Sequence, residues 1–319
     1  MNDLRVNGQR SLFAILCIAV GVAAIVSLQT LGVMIQDTLT GNLRESNKGD
    51  IQFSSDIRLR DFTFEDSEPG NRDFDFEEFE DLIASIEKEA IDSGILETIE
   101  GTTMFGASTR YFGVRGREIL AEWAKTNISQ PITFTYSYFV IEQFRVITNF
   151  GSGTILELER TGLQTNSVSP IMIDSTSYPL VGEVKSLDGK SLDELFPTPN
   201  SIVVSENVAK NLRAEVGDTI KLNGIDEPFT ITGIILTEKE AGFDNFFAGI
   251  FGFYYVDKSA MSLFGLEDRV ERVYMAIENP TDEIITQVSE KLREEYPFLS
   301  FTTTVDVAER NQFVADLLD

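Results

Sequence analysis

Residues 11–36 carry no charged side chain. The stretch SLFAILCIAVGVAAIVSLQTLGVMIQ is dominated by Leu, Ile, Val, Ala and Phe. At a rise of ~1.5 Å per residue it exceeds the ~30 Å thickness of a hydrocarbon core. In lipid the backbone must satisfy its own hydrogen bonds, so the composition predicts a membrane-spanning helix. A cleaved signal peptide has a shorter apolar core, and the most cleavage-like stretch, Ala23-Ala24-Ile25-Val26-Ser27, lies inside the run. A lipoprotein would need a small residue before Cys17, where Leu16 stands. A helix of a soluble domain rarely stays apolar all round for this length.

Charge sets the expected orientation. Residues 1–36 hold Arg5, Arg10 and Asp3, a net +1, whereas the whole chain carries −26. Short basic flanks stay in the cytoplasm, which predicts a cytoplasmic flank at 1–10 and an acidic bulk outside the membrane. The same acidity excludes nucleic acid as a partner, because phosphate backbones are bound through Lys and Arg clusters. There is no His, which removes Ser-His and Cys-His pairs and imidazole metal sites. Cys17 alone forms no internal disulfide and no multi-thiolate centre. No catalytic residue, cofactor or metal is predicted.

Within the span, Ala19, Ala23 and Ser27 recur every four residues and offer a smooth face for another helix. Chance placement of common small residues is the alternative. Beyond it, Leu31, Ile35, Leu39 and Leu43 keep helical spacing while Gln36, Asp37, Thr40 and Asn42 turn polar. This predicts a stalk helix over 37–48 whose apolar stripe needs a partner. Lys48-Gly49-Asp50 breaks the helix, and Ile51-Gln52-Phe53 begins a strand.

The outer region opens with a β-α-β block. Phe76, Phe79, Leu82, Ile83, Ile86 and Ala90 share one helical face, Ser93-Gly94 ends the helix, and strands are predicted from Ile95 to Val114. A second such block closes the chain. Its parts are a strand at Arg272–Ile277, a helix capped by Asn279 with Pro280 at its first position, and a strand over 298–305. Two such blocks suggest halves of one ferredoxin-like sheet around a β-rich insertion. In the middle, Ile202-Val203-Val204 is a predicted strand. Ser205 caps a helix bearing Val208, Ala209 and Leu212, and strands follow at Thr219–Leu222 and Phe229–Ile235.

At this point the chain resembles a family. The run Ser201–Leu212, then Val216–Leu222, then Phe229–Ile235, is similar to the outer domain of FtsX-like, MacB-type ABC transporter permeases. Arg10-Ser-Leu before Ile18–Ala24, the stalk, Gly49-Asp50-Ile51, and Asp174 with Tyr178-Pro179-Leu180 resemble the same family. The resemblance implies an α+β architecture: an N-terminal transmembrane helix and stalk, then ferredoxin-like (porter-like) β-α-β halves with an inserted β-rich lobe. The expected divisions are a first core part at 49–180 (the MacB-like periplasmic core domain), the lobe at 181–265 and a second half at 266–319. Ala308–Leu318 would lead into a second membrane helix, so helices two to four are expected beyond this chain. It also implies a separate cytoplasmic ABC ATPase, a second permease copy as homodimer or pseudo-dimer, and contact with membrane lipid. The family's work is mechanical: ATP-driven closure passed outward to move antimicrobial, peptide or lipoprotein cargo, with an extracytoplasmic adaptor as a candidate partner.

Other motifs weigh less. Gly189-Lys190-Ser191 resembles the end of a phosphate loop, but Val184 stands where that loop needs Gly. Ser85 and Lys88 match the Ser-x-x-Lys spacing without its companion motifs. Asp73, Asp75, Glu77, Glu78 and Glu80 are either hard oxygen ligands for calcium or a solvated helix face. Phe243, Phe246, Phe247 and Phe251, beside glycines and ahead of Tyr254-Tyr255, are candidate exposed contacts for cargo or partner, or else core of the lobe. The alternative to a permease is a singly anchored extracytoplasmic binding or adhesion module acting alone.

Overall fold

The computed structural model describes residues 43–58, 76–99, 109–140, 146–148, 151–240 and 246–310. Arg44–Val305 forms one compact unit; residues 1–43 and 306–319 group separately, and of these Leu43 and 306–310 are described. The expected span at 11–36 lies outside the described residues, and no helix among the described residues is long and apolar enough to cross a membrane.

The fold is mixed α+β. The chain runs α1 (Leu43–Ser46), β1 (Ile51–Ile57), α2 (Phe76–Asp92), β2 (Glu97–Ile99), β3 (Thr109–Tyr111), α3 (Val114–Asn127) and β4 (Ile132–Tyr138). Next come β5 (Val146–Thr148), β6 (Gly151–Leu158), β7 (Gln164–Ile173), β8 (Ser201–Ser205), α4 (Glu206–Leu212), β9 (Thr219–Leu222) and β10 (Phe229–Ile235). After them follow α5 (Phe246–Phe251), β11 (Phe253–Asp257), β12 (Val270–Ile277), α6 (Asp282–Glu295) and β13 (Leu299–Thr303), then a helical turn over 304–310.

One sheet runs β13-β1-β12-β4-β7-β11-β8-β10-β9-β6-β5. Its first four strands are antiparallel neighbours: Phe53 lies between Val273 and Phe301, and Met275 opposes Phe134. Beyond β4 the sheet closes on itself. Strand β6 pairs with β9 through Leu156↔Leu222 and also with β7 through Thr154↔Val168, so β7-β11-β8-β10-β9-β6 forms a ring. Closure removes the exposed strand edges that an open insertion would leave.

The ring explains the burial. In β6, Thr154, Leu156 and Leu158 are buried while Ile155 and Glu157 are less so, the period-two pattern of a strand with one face inward. Ile202, Val204, Tyr254 and Val256 join Leu156, Leu158, Ile220, Leu222 and Phe229 in one cluster. Their chain neighbours Val203, Phe253 and Tyr255 point the other way, into a second cluster with Tyr178, Leu192, Leu195 and Ala248. Strands β8 and β11 are therefore covered on both faces, which is why they read as unbroken apolar runs.

Two sequence expectations need correction. Strands were expected as far as Val114, but α3 begins there. Its first turn, Arg115-Gly116-Arg117, looks unhelical because Gly116 is required for contact: a Cβ there would sit 2.0 Å from the Ile95 carbonyl oxygen. At α6 the cap is Thr281, whose side chain accepts from the Ile284 N–H at 3.3 Å. Asn279 instead takes a left-handed turn (φ 49°), which places Pro280 ahead of the helix.

Candidate functional site at the end of helix α1

Helix α1 stops in three residues. Lys48 adopts φ 58°, its N–H bonds the Glu45 carbonyl at 3.2 Å, and the Gly49 N–H bonds the Arg44 carbonyl at 3.0 Å. This is a left-handed helix terminus formed by Lys rather than Gly. Gly49 must follow, because a Cβ there would meet the Met275 carbonyl oxygen at 2.8 Å.

The turn delivers Asp50 into the sheet with no exposed surface. Its carboxylate receives Arg44 Nε at 2.6 Å, Arg44 Nη2 at 2.9 Å and the Ile277 N–H at 2.7 Å. The Asp50 N–H donates to Met275 O at 2.8 Å, and its carbonyl accepts from the Thr304 N–H at 3.0 Å. Arg44 Nη2 also reaches Ile277 O at 3.2 Å. One residue thus joins the end of α1 to β12 and to the start of the final helical turn. A fully buried carboxylate persists only when its lone pairs are met this completely. Asn47 adds amide contacts to Gly49 O and Thr302 O.

Lys48 points elsewhere. Its ammonium donates to Lys239 O at 2.6 Å and lies 3.6 Å from Glu240 Oε1, with both side chains nearly buried. Glu240 Oε1 accepts from Tyr178 Oη at 2.8 Å and from Tyr255 Oη. Burial first, and the Glu240 charge second, push both tyrosine hydroxyls well above their ordinary range. Burial likewise raises Tyr274 of β12, whose ring meets Tyr178 edge-on at 5.5 Å. Burial opposes the charge of Arg272, but Tyr274, Glu271, Tyr178 and Glu240 outweigh it and hold its pKa above the usual value. The cluster sits where α1, the four antiparallel strands and the ring meet. Its polar groups are engaged with one another: two tyrosine hydroxyls and one ammonium converge on the Glu240 carboxylate.

Of the residues singled out in the sequence, Ala19, Ala23, Ser27, Leu31, Ile35 and Leu39 lie outside the described residues. Leu43 opens α1, half-buried. Phe243 is also outside, and Phe246 and Phe247 are described only as backbone of α5. Phe251 ends α5 half-buried, while Tyr254 and Tyr255 are fully buried core. Gly189-Lys190-Ser191 leads into a capping box: the Ser191 N–H donates to Glu194 at 2.9 Å. Asp73 and Asp75 lie outside the described residues; no group of three His, Cys, Asp or Glu residues poised for a metal occurs among those described. Arg44, Asp50, Tyr178, Glu240 and Tyr255 were not anticipated as a site. Lys48-Gly49-Asp50 was legible only as a helix breaker.

The fold is thus an α+β domain in which the end of α1, strand β12 and the residue after β13 meet at one buried acid. The sequence matches the MacB-like periplasmic core domain family over residues 11–295, and the chain belongs to that family, a part of ABC transporter permeases. Among solved structures it is similar to the periplasmic region of MacB from Actinobacillus actinomycetemcomitans, at 14% identity and TM-score 0.39, over 72% of this chain and 98% of that one. It is also similar to the extracellular domain of the noncanonic ABC-type transporter YknZ from Gram-positive bacteria, at 12% identity and TM-score 0.36, over 57% and 85%. The family assignment rests on the sequence match and not on these likenesses. No curated protein matches the chain.

Proposed function

We propose that this chain is a permease subunit of an ABC transporter that passes ATP hydrolysis by a separate cytoplasmic ATPase to its extracytoplasmic domain. The observation that carries the reading is the family match, which begins at residue 11 and so takes in the whole uncharged run 11–36. In this reading 11–36 crosses the cytoplasmic membrane, Ala19, Ala23 and Ser27 pack on a neighbouring helix, and Leu31, Ile35, Leu39 and Leu43 line the stalk. A second permease copy completes the transporter, and antimicrobial, peptide or lipoprotein cargo is exported or released outside. Phe243, Phe246, Phe247 and Phe251 face that cargo or an adaptor.

The strand order β13-β1-β12-β4 supports a ferredoxin-like reading of the porter-like part. Numbered along the chain these strands are 4-1-3-2, with α3 leading into the second and α6 joining the third to the fourth. In this reading the ring of β6 to β11 corresponds to the inserted lobe expected at 181–265, extended by β6 and β7 from the expected first core part at 49–180. For transmission, the Asp50 node is the natural coupling point, because a displacement of α1 passes through two Arg44–Asp50 hydrogen bonds and then two between Asp50 and β12, at 2.6–2.9 Å.

Affinity purification of the tagged chain from membranes of its native cell tests the reading. The expected result is membrane retention and co-purification of an ABC ATPase with ATP-hydrolysing activity. A chain that is released from the membrane and purifies alone as a monomer would overturn it and favour the free-standing binding module.

A further inference from the structure

Lys48 is an unusual residue to spend on a helix terminus. A left-handed backbone favours Gly or Asn there, and an ammonium loses hydration when only 10% of the side chain remains exposed. What it gains is a second attachment, separate from the Asp50 node two residues away. Its partners are Lys239 O, at the end of the 3-10 turn Thr237–Lys239, and Glu240. That turn directly follows β10, a ring strand, and Glu240 is held in turn by Tyr178 and by Tyr255 of ring strand β11. Tyr255 shares its cluster with Ala248 of α5. A continuous chain of polar and packed contacts therefore runs from the end of α1, through one ammonium, into the ring.

We propose that Lys48 is a positioning residue that latches the end of α1 to the turn at 237–240, so that movement of α1 is passed to the ring independently of the β1–β12–β13 sheet. The latch deepens the mechanical reading above and rests on it for its purpose, though not for its existence. Asp50 fixes α1 to the antiparallel strands, and Lys48 fixes it to the inserted strands. Displacing α1 then pulls on both parts of the sheet at once. The carbonyl at Lys239 and the carboxylate at Glu240 are both acceptors, so a cation on a flexible stem fits, whereas a neutral side chain would leave the carboxylate to the two tyrosine hydroxyls and the field of Arg272.

Amide hydrogen exchange on the full chain in lipid nanodiscs tests the latch through a double-mutant cycle. Lys48→Met is expected to speed exchange at Lys239 and Glu240 about tenfold, with β12 and α6 unchanged. Arg44→Met, which frees α1 from Asp50, is expected to speed exchange at the same two amides when Lys48 is present and to add nothing in the Lys48→Met background. Glu240→Gln, which keeps an acceptor for the tyrosines, serves where Lys48→Met fails to fold and is expected to show the same local effect. Unchanged exchange at 239–240, an equal rise across the whole sheet, or a full additive effect of Arg44→Met would each overturn the latch. The readout needs no ATPase, so loss of the permease reading would leave it standing, and its own failure would leave the permease reading untouched.

Discussion

Asp50 and Arg44 lie six residues apart and are joined by two hydrogen bonds, at 2.6 and 2.9 Å, with the carboxylate buried and the guanidinium side chain 37% exposed. The pair is asymmetric: one member is sealed in the sheet, the other faces partly outward. Removing either leaves a partner with few substitutes. Asp50→Ala deprives the Ile277 N–H as well and is expected to cost ~3–5 kcal/mol. Arg44→Met leaves the carboxylate with the Ile277 N–H, and the double variant should cost less than the sum of the two, as directly coupled groups do. Urea unfolding followed by the single Trp, Trp123, which is buried and donates to Glu295 at 2.7 Å, measures all three.

Gly116 and Gly217 separate close approach from backbone strain. Gly116→Ala pushes a methyl group against the Ile95 carbonyl, so α3 must move off the bend that follows α2; a loss of ~3 kcal/mol is expected. Gly217 has φ 96° and open space around it, so Gly217→Ala meets only the left-handed penalty of ~1–2 kcal/mol. Unfolding midpoints in urea should rank the two in that order.

Stability should fall on acidification. Burial pushes the Asp174 carboxyl up, but hydrogen bonds from Lys258 and Thr176 outweigh it and hold its pKa below the usual 3.8. Asp257 behaves alike, with Ser259 and Ser175 as donors. For a depressed carboxyl, the unfolded chain binds the proton first, so the stabilisation is whole above pH 3.8 and is lost as pH drops through the lower folded value. Asp174→Asn should flatten this acid limb in a series of unfolding curves between neutral and acidic pH. An unchanged slope would refute the assignment.

The alkaline limb has the opposite origin. Tyr178 and Tyr255 are held neutral well above their ordinary 10.0, chiefly by burial. Above pH 10 the unfolded chain ionises them while the folded chain does not, so stability declines as pH rises toward the folded values. Tyrosinate absorbance from these two residues should appear together with unfolding. Tyr178→Phe with Tyr255→Phe should delay alkaline unfolding, as monitored by circular dichroism.

Much of the strand and helix order was legible because it follows local rules. Thr219–Leu222 and Phe229–Ile235 fall where alternation and turns put them, and α4 starts after Ser205. The cap itself works differently, since Ser205 Oγ turns to Asn207 and to the Phe253 N–H. Helix α3 was missed because Gly116 answers to a carbonyl brought close only by the fold. Closure of the ring was not legible either: β6 pairs with β7, its neighbour in sequence, but also with β9, and no local pattern in Ile155–Glu159 announces the second partner. The Lys48–Glu240 contact spans a long sequence separation and rests on tyrosines that read as ordinary core. Sites made of satisfied buried polar groups leave no signature until the strands that carry them are placed.

The most direct measurement follows the outer domain while ATP is turned over. Val216 is exposed on the ring, so a spin label there, with Cys17 replaced by Ser, reports the distance between two copies assembled with their ATPase in nanodiscs. The expected result is a distance distribution that shifts between nucleotide-free and ATP-trapped states, and a shift abolished by Asp50→Ala while hydrolysis continues. A distribution indifferent to nucleotide during active hydrolysis would contradict mechanical transmission through the end of α1.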